Sequence, residues 1–300
     1  MGQYHEITCQ SACNRLKRKT PYRWDLNIYR GCAHGCCYCY ALGSHKYVGD
    51  GTDFYRDIYV KTNIAEQLER QLSAPDWQRE VVNIGGVTDS YQPAEAQYRL
   101  MPEILRLLIR YKTPAIISTK SALVLRDYDL IDELSHITYV NIAETITTMD
   151  EGLRGKLEPG AAPSAKRFEV LRAFRETRAS VGLHLMPIIP HLTDSRENMD
   201  ALLQNARDCR VHYVLPGMLY LRGETRQAFL SFVQREFPAL HAEMVTLYKT
   251  GGAERHYKNG FYEMFNALRK QYGLSNSYTK PMQERLQRVE DPQISLFDGI

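Results

Sequence analysis

Residues 31–40 read Gly31-Cys32-Ala33-His34-Gly35-Cys36-Cys37-Tyr38-Cys39-Tyr40, and they hold four of the chain's seven cysteines. Cys32, Cys36 and Cys39 make the spacing Cys-x3-Cys-x2-Cys. A short, glycine-bearing loop with this spacing can turn three thiolates towards one point. Thiolates select zinc, copper(I) or iron–sulfur clusters. A structural zinc site takes four ligands, and so does a cysteine-bound [4Fe–4S] cluster. Three cysteines therefore leave one iron of a cluster open, a place where a substrate or cofactor can bind. The other use of the same loop is a zinc knuckle completed by His34, Cys37, or Cys9 and Cys13.

The surrounding pattern is strand, loop, helix, repeated. Short apolar runs at about 24–29, 81–84, 115–119, 137–143, 181–187 and 211–215 predict six strands. They lack a polar alternation, as strands buried on both faces do. Helical periodicity falls between them. Ile64, Leu68 and Leu72 recur at four-residue spacing, and Ile104, Leu107 and Leu108 follow Pro102. Phe168, Leu171 and Phe174 follow Pro163, and Met199, Leu202, Leu203 and Ala206 mark a run near 195–208. Alternation of this kind predicts a parallel α/β arrangement, and by itself leaves an open doubly wound sheet and a barrel equally available. Residues 223–273 read as two or three amphipathic helices with Phe229, Leu230, Val233, Met264, Phe265 and Leu268 as core positions.

At 300 residues and 44% hydrophobic, the chain can bury a sizeable core. No apolar run approaches membrane-spanning length, the N-terminus does not read as a signal peptide, and an odd number of clustered cysteines is no secreted disulfide framework. A reducing cytoplasm is the expectation. Arg15, Lys17, Arg18, Lys19 and Arg23, with Tyr22 and Trp24 beside them, make a basic arm that suits a phosphate backbone or a solvated face.

The cysteine spacing, with aromatic Tyr38 just before the third cysteine, resembles the cluster motif of the radical S-adenosylmethionine (SAM) enzymes. The longer stretch Asp25-Leu-Asn-Ile-Tyr-Arg-Gly-Cys-Ala-His-Gly-Cys-Cys-Tyr-Cys-Tyr-Ala41 is similar, more narrowly, to the spore photoproduct lyase-like branch, the DNA repair photolyase-related proteins. This resemblance implies a partial (β/α)6 TIM-type barrel with C-terminal helices and a flexible tail. It implies a [4Fe–4S] cluster on Cys32, Cys36 and Cys39, with Cys37 turned away. It further implies reductive cleavage of SAM to a 5′-deoxyadenosyl radical that takes a hydrogen atom from a substrate, with DNA or another nucleic acid as a candidate. An electron donor such as flavodoxin or ferredoxin goes with that chemistry. The lyases also place a hydrogen-donating cysteine after their second strand. This chain has no cysteine between Cys39 and Cys209, so the resemblance carries the general chemistry and not the lyase's own repair reaction.

Ligands collect at the C-terminal ends of barrel strands, which makes the strand ends candidate SAM contacts. Lys120 can pair with the SAM carboxylate as a point charge, Ser118 or Thr88 can hydrogen-bond the same end, and Glu144 can accept from the ribose or sit near the sulfonium. The resemblance supports Thr119-Lys120-Ser121 as SAM-binding and Tyr38 as packing on the adenine through its backbone. Arg167, in the stretch that follows Leu157-Glu158-Pro159-Gly160, reaches the SAM carboxylate or pairs with Glu158. His184 lies on strand five, with the barrel lumen or the core as its surroundings.

The expected organisation is a basic arm over 1–23, a barrel over 24–222, a helical cap over 223–274 and a flexible tail over 275–300. Gln293-Ile294-Ser295-Leu296-Phe297 in that tail looks like the pentapeptide by which bacterial replication and repair proteins dock on the DNA sliding clamp. A non-catalytic metal- or nucleic-acid-binding protein with a structural cysteine loop is the alternative function. The strand-end Lys120 and the Thr88-Asp89 turn favour the enzyme, since a metal knuckle needs neither.

Overall fold

The structure, a computed structural model, describes residues 2–17, 20–47 and 52–290. Ten strands run in chain order: β1 (Gln3–Ile7), β2 (Cys13–Arg15), β3 (Trp24–Leu26), β4 (Tyr29–Arg30), β5 (Asp57–Lys61), β6 (Val82–Ile84), β7 (Ala115–Thr119), β8 (Val140–Thr145), β9 (Ser180–Ile188) and β10 (Tyr213–Met218). The main sheet has the order β10-β9-β8-β7-β6-β3-β2. From β3 to β10 every neighbour is parallel, and only the edge strand β2 runs antiparallel. Six parallel strands whose two ends, β10 and the β2-flanked β3, do not pair with each other make a partial barrel. β7 and β8 are buried along nearly their whole length, because helices cover one face and the lumen the other.

The longer crossover helices are Ile64–Leu72, Met101–Arg110, Tyr128–Ile137, Ser164–Phe174 and Arg196–Asp208. Each turns an apolar stripe inward. In Met101–Arg110 the stripe is Ile104, Leu105, Leu107 and Leu108, with Pro102 in the first turn where its missing N–H costs nothing. Ser195 caps Arg196–Asp208 by accepting from the Asn198 amide at 3.1 Å. No helix among the described residues is long and apolar enough to cross a membrane.

Three regions depart from the sequence expectation. The segment 1–23 is not a separate basic arm. β1 pairs with β5 in a small sheet of order β1-β5-β4, and β2 hydrogen-bonds along β3. The strand predicted over 137–143 starts later, at Val140, because Ile137 still belongs to the preceding helix. Residues 279–290, expected as part of a flexible tail, form a helix. Its Met282 is buried with Val81, Ile116 and Tyr139, and Arg285 donates to the carbonyls of Arg178 at 2.8 Å and of Ser135. A Met282–Leu286 stripe at four-residue spacing therefore covers the N-terminal end of the strands, so apolar contact overrides the polar composition. The Gln293–Phe297 peptide lies outside the described residues.

The C-terminal helices divide their work. Gly223–Glu236 covers the cysteine loop: Phe229 packs with Cys36 and Tyr38, and Thr225 donates to the Cys39 carbonyl at 2.8 Å. Arg255–Gln271 instead lies on the outer layer, where Tyr272, just past its end, donates to Asp200 at 2.8 Å.

Candidate cluster and SAM site

The cysteine loop leaves β4 at Gly31 and is held by backbone bonds from two sides. From the turn after β6, Thr88 donates to the Gly31 carbonyl at 2.7 Å. Gln92 donates to the same carbonyl at 3.1 Å and accepts from the Ala33 amide at 2.9 Å. From the segment after β8, the Leu157 carbonyl accepts from the Cys37 amide at 3.0 Å, and the Gly160 amide donates to the His34 carbonyl at 2.9 Å. A Cβ on Gly160 would stand 2.4 Å from the Ala33 carbonyl oxygen, so only glycine allows this approach.

Asp89 is the junction of these supports. Its buried carboxylate faces the His34 Nε2 at 3.0 Å and accepts from the Thr119 hydroxyl at 2.8 Å, the Lys120 amide at 2.8 Å and the Tyr91 amide at 2.8 Å. Burial works against its charge, but the His34 ring and the backbone donors hold its pKa down to about 2. One side chain thereby ties the cysteine loop to the ends of β6 and β7.

The two sides enclose a cavity of about 350 Å³ whose wall includes Cys32, Cys36, Cys39, Thr88, Ser118 and Lys120. Cys32, Cys36 and Cys39 all line this cavity, and Cys37 does not. Burial, with Asp89 adding to it, pushes the Cys32 thiol up to about 12, and burial raises Cys36 and Cys39 as well. Such thiols become thiolates when a metal centre supplies the compensating positive charge. A zinc knuckle through His34 is not built, because both its ring nitrogens are engaged, Nδ1 with the Gly160 carbonyl at 2.9 Å and Nε2 with Asp89. Cys13 lies in β2, packed in the main core. Three soft thiols on one cavity wall, with no fourth cysteine among its described lining residues, are the donor set of a cluster with one open iron, although no three His, Cys, Asp or Glu side chains among the described residues are grouped closely enough to hold a metal ion.

Lys120 points at this wall, its Nζ 5.9 Å from the Tyr38 ring centroid. Burial opposes its charge, but Cys36 and Glu158 more than offset that and raise its pKa. Ser118 shares the lining, and the Thr88 hydroxyl also lines it while donating its proton to the loop. Three predicted residues, Tyr38, Glu144 and Arg167, lie outside the lining. Glu144 is buried outside the lining, and its neighbour Thr145 lines the cavity instead, since successive side chains of a strand face opposite ways. Arg167 is fully buried, its Nη1 2.6 Å from Glu158 Oε2, and it donates to the carbonyls of Thr145 at 2.6 Å and Ala162 at 2.7 Å. The Tyr38 hydroxyl donates to the other oxygen of Glu158. Of the two roles weighed for Arg167, the structure realises the pairing with Glu158. Asp89 and Thr145 stand in strand-end stretches that the sequence marks as candidates, whereas the parts that Gln92 and His34 play in holding the loop rest on contacts distant in sequence.

A partial barrel with a three-thiol loop on the wall of its cavity defines a cluster- and SAM-binding protein. The chain belongs to the radical SAM superfamily, whose family model matches residues 26–203. Members of this superfamily bind a [4Fe–4S] cluster and SAM. An uncharacterized protein of Mycobacterium tuberculosis strain H37Rv is 37% identical over 83% of this chain and 74% of its own length. A second uncharacterized protein, from Methanocaldococcus jannaschii, is 29% identical over 60% of this chain and 69% of its own. Among solved structures, spore photoproduct lyase complexed with dinucleoside spore photoproduct superposes with a TM-score of 0.65 at 12% identity, covering 90% of this chain and 79% of that one.

Proposed function

We propose that this protein is a radical SAM enzyme that abstracts a hydrogen atom from a nucleic acid. The observation that carries the reading is the placement of Cys32, Cys36 and Cys39 on one cavity wall with Lys120 and Ser118 at the strand ends. When bound, the cluster supplies the electron that cleaves SAM, and the open iron anchors it. Cys32, Cys36 and Cys39 hold the cluster, and Lys120 meets the SAM carboxylate. Ser118 and Thr145 offer hydrogen bonds along the same rim, and the Gly223–Glu236 helix shields the loop from water through Phe229. Arg167 and Glu158 fix Tyr38 through its hydroxyl and act on SAM only through the backbone that this ring anchors.

The nucleic-acid assignment is supported by the solved neighbour bound to a dinucleoside photoproduct and by an aromatic group of the cavity wall. Tyr40 lines the cavity yet is 72% exposed. An exposed aromatic offers a stacking surface to a base. A flavodoxin- or ferredoxin-type carrier supplies the electron, and seven unpaired cysteines suit a reducing compartment such as the cytoplasm. The test is anaerobic incubation of reduced, reconstituted protein with SAM and deuterated thymine-containing oligonucleotides. Deuterium entering 5′-deoxyadenosine supports the assignment. Its absence, while SAM is still cleaved, removes nucleic acid as substrate.

A further inference from the structure

At the opposite end of the barrel from the cysteine loop, where the strands begin, the Thr279–Glu290 helix covers a second cavity of about 160 Å³. Tyr139 stands just before β8, Ser180 opens β9 and His212 stands just before β10. With Arg178 they form the barrel side of its wall, and Glu284 and Arg285 form the helix side. It shares no described lining residue with the cavity of the cysteines.

Donors crowd this corner. The His212 Nδ1 accepts from the Val181 amide at 2.9 Å. Burial, with Arg175 adding to it, lowers the His212 pKa, so at neutral pH the ring carries one proton, on Nε2. That nitrogen lies 2.7 Å from Nη1 of Arg175, which has only protons to offer. Two N–H groups therefore face each other, and the Arg175 Nε is buried without a partner as well. The buried Ser180 and Tyr139 hydroxyls find no hydrogen-bond partner of good geometry either. Among the described residues Arg178 bonds only through its backbone, which leaves its exposed guanidinium without an acceptor. Arg285 gives two N–H groups to the carbonyls of Arg178 and Ser135 and brings its charge to the wall. The one acid of the described lining, Glu284, is exposed and 3.9 Å from Lys280.

The corner lacks an acceptor with negative charge. Buried donors left unpaired cost free energy, and charge-assisted bonds from arginine to an oxyanion are among the strongest available. One water takes about 30 Å³ of the liquid, so the cavity has room for a phosphate group and a few waters. We propose that this cavity is a phosphate-binding site, in which Arg178 and Arg285 supply the charge and His212 and Ser180 supply neutral donors. Because one wall is barrel and the other is the terminal helix, the ligand bridges them and holds the Thr279–Glu290 helix against the strand starts. A ligand that binds only the docked arrangement stabilises it by mass action.

Hydrogen–deuterium exchange of the reconstituted full chain, read on peptides from 279–290, tests this with inorganic phosphate against chloride at equal ionic strength. Titration calorimetry on the same samples gives the affinity. At ten times its Kd, phosphate is expected to slow exchange in the helix by up to about tenfold, the factor 1 + [L]/Kd. Arg178→Ala should weaken phosphate about tenfold, whereas Arg178→Lys keeps the charge and should stay within about fivefold. Ser180→Ala should cost about threefold. Formation of 5′-deoxyadenosine should not change in these variants, because the site touches neither cluster nor SAM. A second arm with 5′-AMP separates the sources: binding tighter than inorganic phosphate assigns a nucleotide phosphate, weaker binding assigns the free anion, and both support the site. Exchange that responds to phosphate no more than to chloride, or phosphate affinity unchanged in Arg178→Ala, overturns it.

Discussion

Arg167→Met separates a structural role for this arginine from a direct one on SAM. Arg167 and Glu158 are both fully buried and 2.6 Å apart. Burial raises the Glu158 pKa, but Arg167, then Lys120, bring it below the usual carboxylate range. Removing the guanidinium leaves a buried carboxylate facing Tyr38 and Thr147, and breaking such a pair costs about 3–5 kcal/mol. An unfolding entropy of about 2.1 cal/mol/K per residue gives about 0.6 kcal/mol/K for a chain of this size, so the expected fall in Tm is about 5–8 °C. The double variant Arg167→Met/Glu158→Leu removes both charges and should recover most of the loss. Differential scanning calorimetry of the reconstituted protein reads the shift, and SAM titration reads affinity. The reasoning fails if Arg167→Met melts within 2 °C of wild type while SAM affinity drops tenfold or more.

Other expectations follow from the same geometry. Cys36→Ala should lose the cluster whereas Cys37→Ala keeps it, checked by iron and sulfide analysis. Lys120→Ala should retain the cluster and weaken SAM binding by about 1.5–3 kcal/mol, the worth of one charge-assisted bond; unchanged affinity would remove Lys120 from the SAM site. Asp89→Asn should cost about 1.5–3 kcal/mol in urea unfolding, because a carboxylate with four neighbours donating to it becomes an amide with one acceptor oxygen. His184 makes stability depend on pH. Its unfolded pKa is about 6.5 and its folded value about 4, so the unfolded chain holds more protons between them. Its contribution is complete above about pH 6.5 and is lost as pH falls towards 4, by up to about 3 kcal/mol. His184→Gln should flatten this part of the urea-unfolding profile, and an unaltered profile would exclude the ring as its source.

Much of the site was legible because it is local in sequence. The three cysteines that line the cavity lie within eight residues, β7 spans the run expected as a strand, and Lys120 follows it directly. What escaped is non-local or depends on single-residue register. The small sheet joins residues 3–7 to 57–61 across some fifty intervening positions, and strands so short carry little pattern of their own. Glu144 and Thr145 are equally polar in sequence; the pleat alone decides that Thr145 reaches the cavity. For Arg167 the sequence offers two roles, and only the burial of both side chains selects the pairing with Glu158. The Thr279–Glu290 helix reads as a polar tail until the floor of the barrel supplies an apolar surface for Met282.

The most direct test of the central claim is 5′-deoxyadenosine released from SAM by the anaerobically reduced, reconstituted protein. Four irons per chain and steady formation of 5′-deoxyadenosine in wild type, both lost in Cys36→Ala, are the predicted result. A wild-type protein that holds four irons and binds SAM, yet forms no 5′-deoxyadenosine under reduction, would contradict the account.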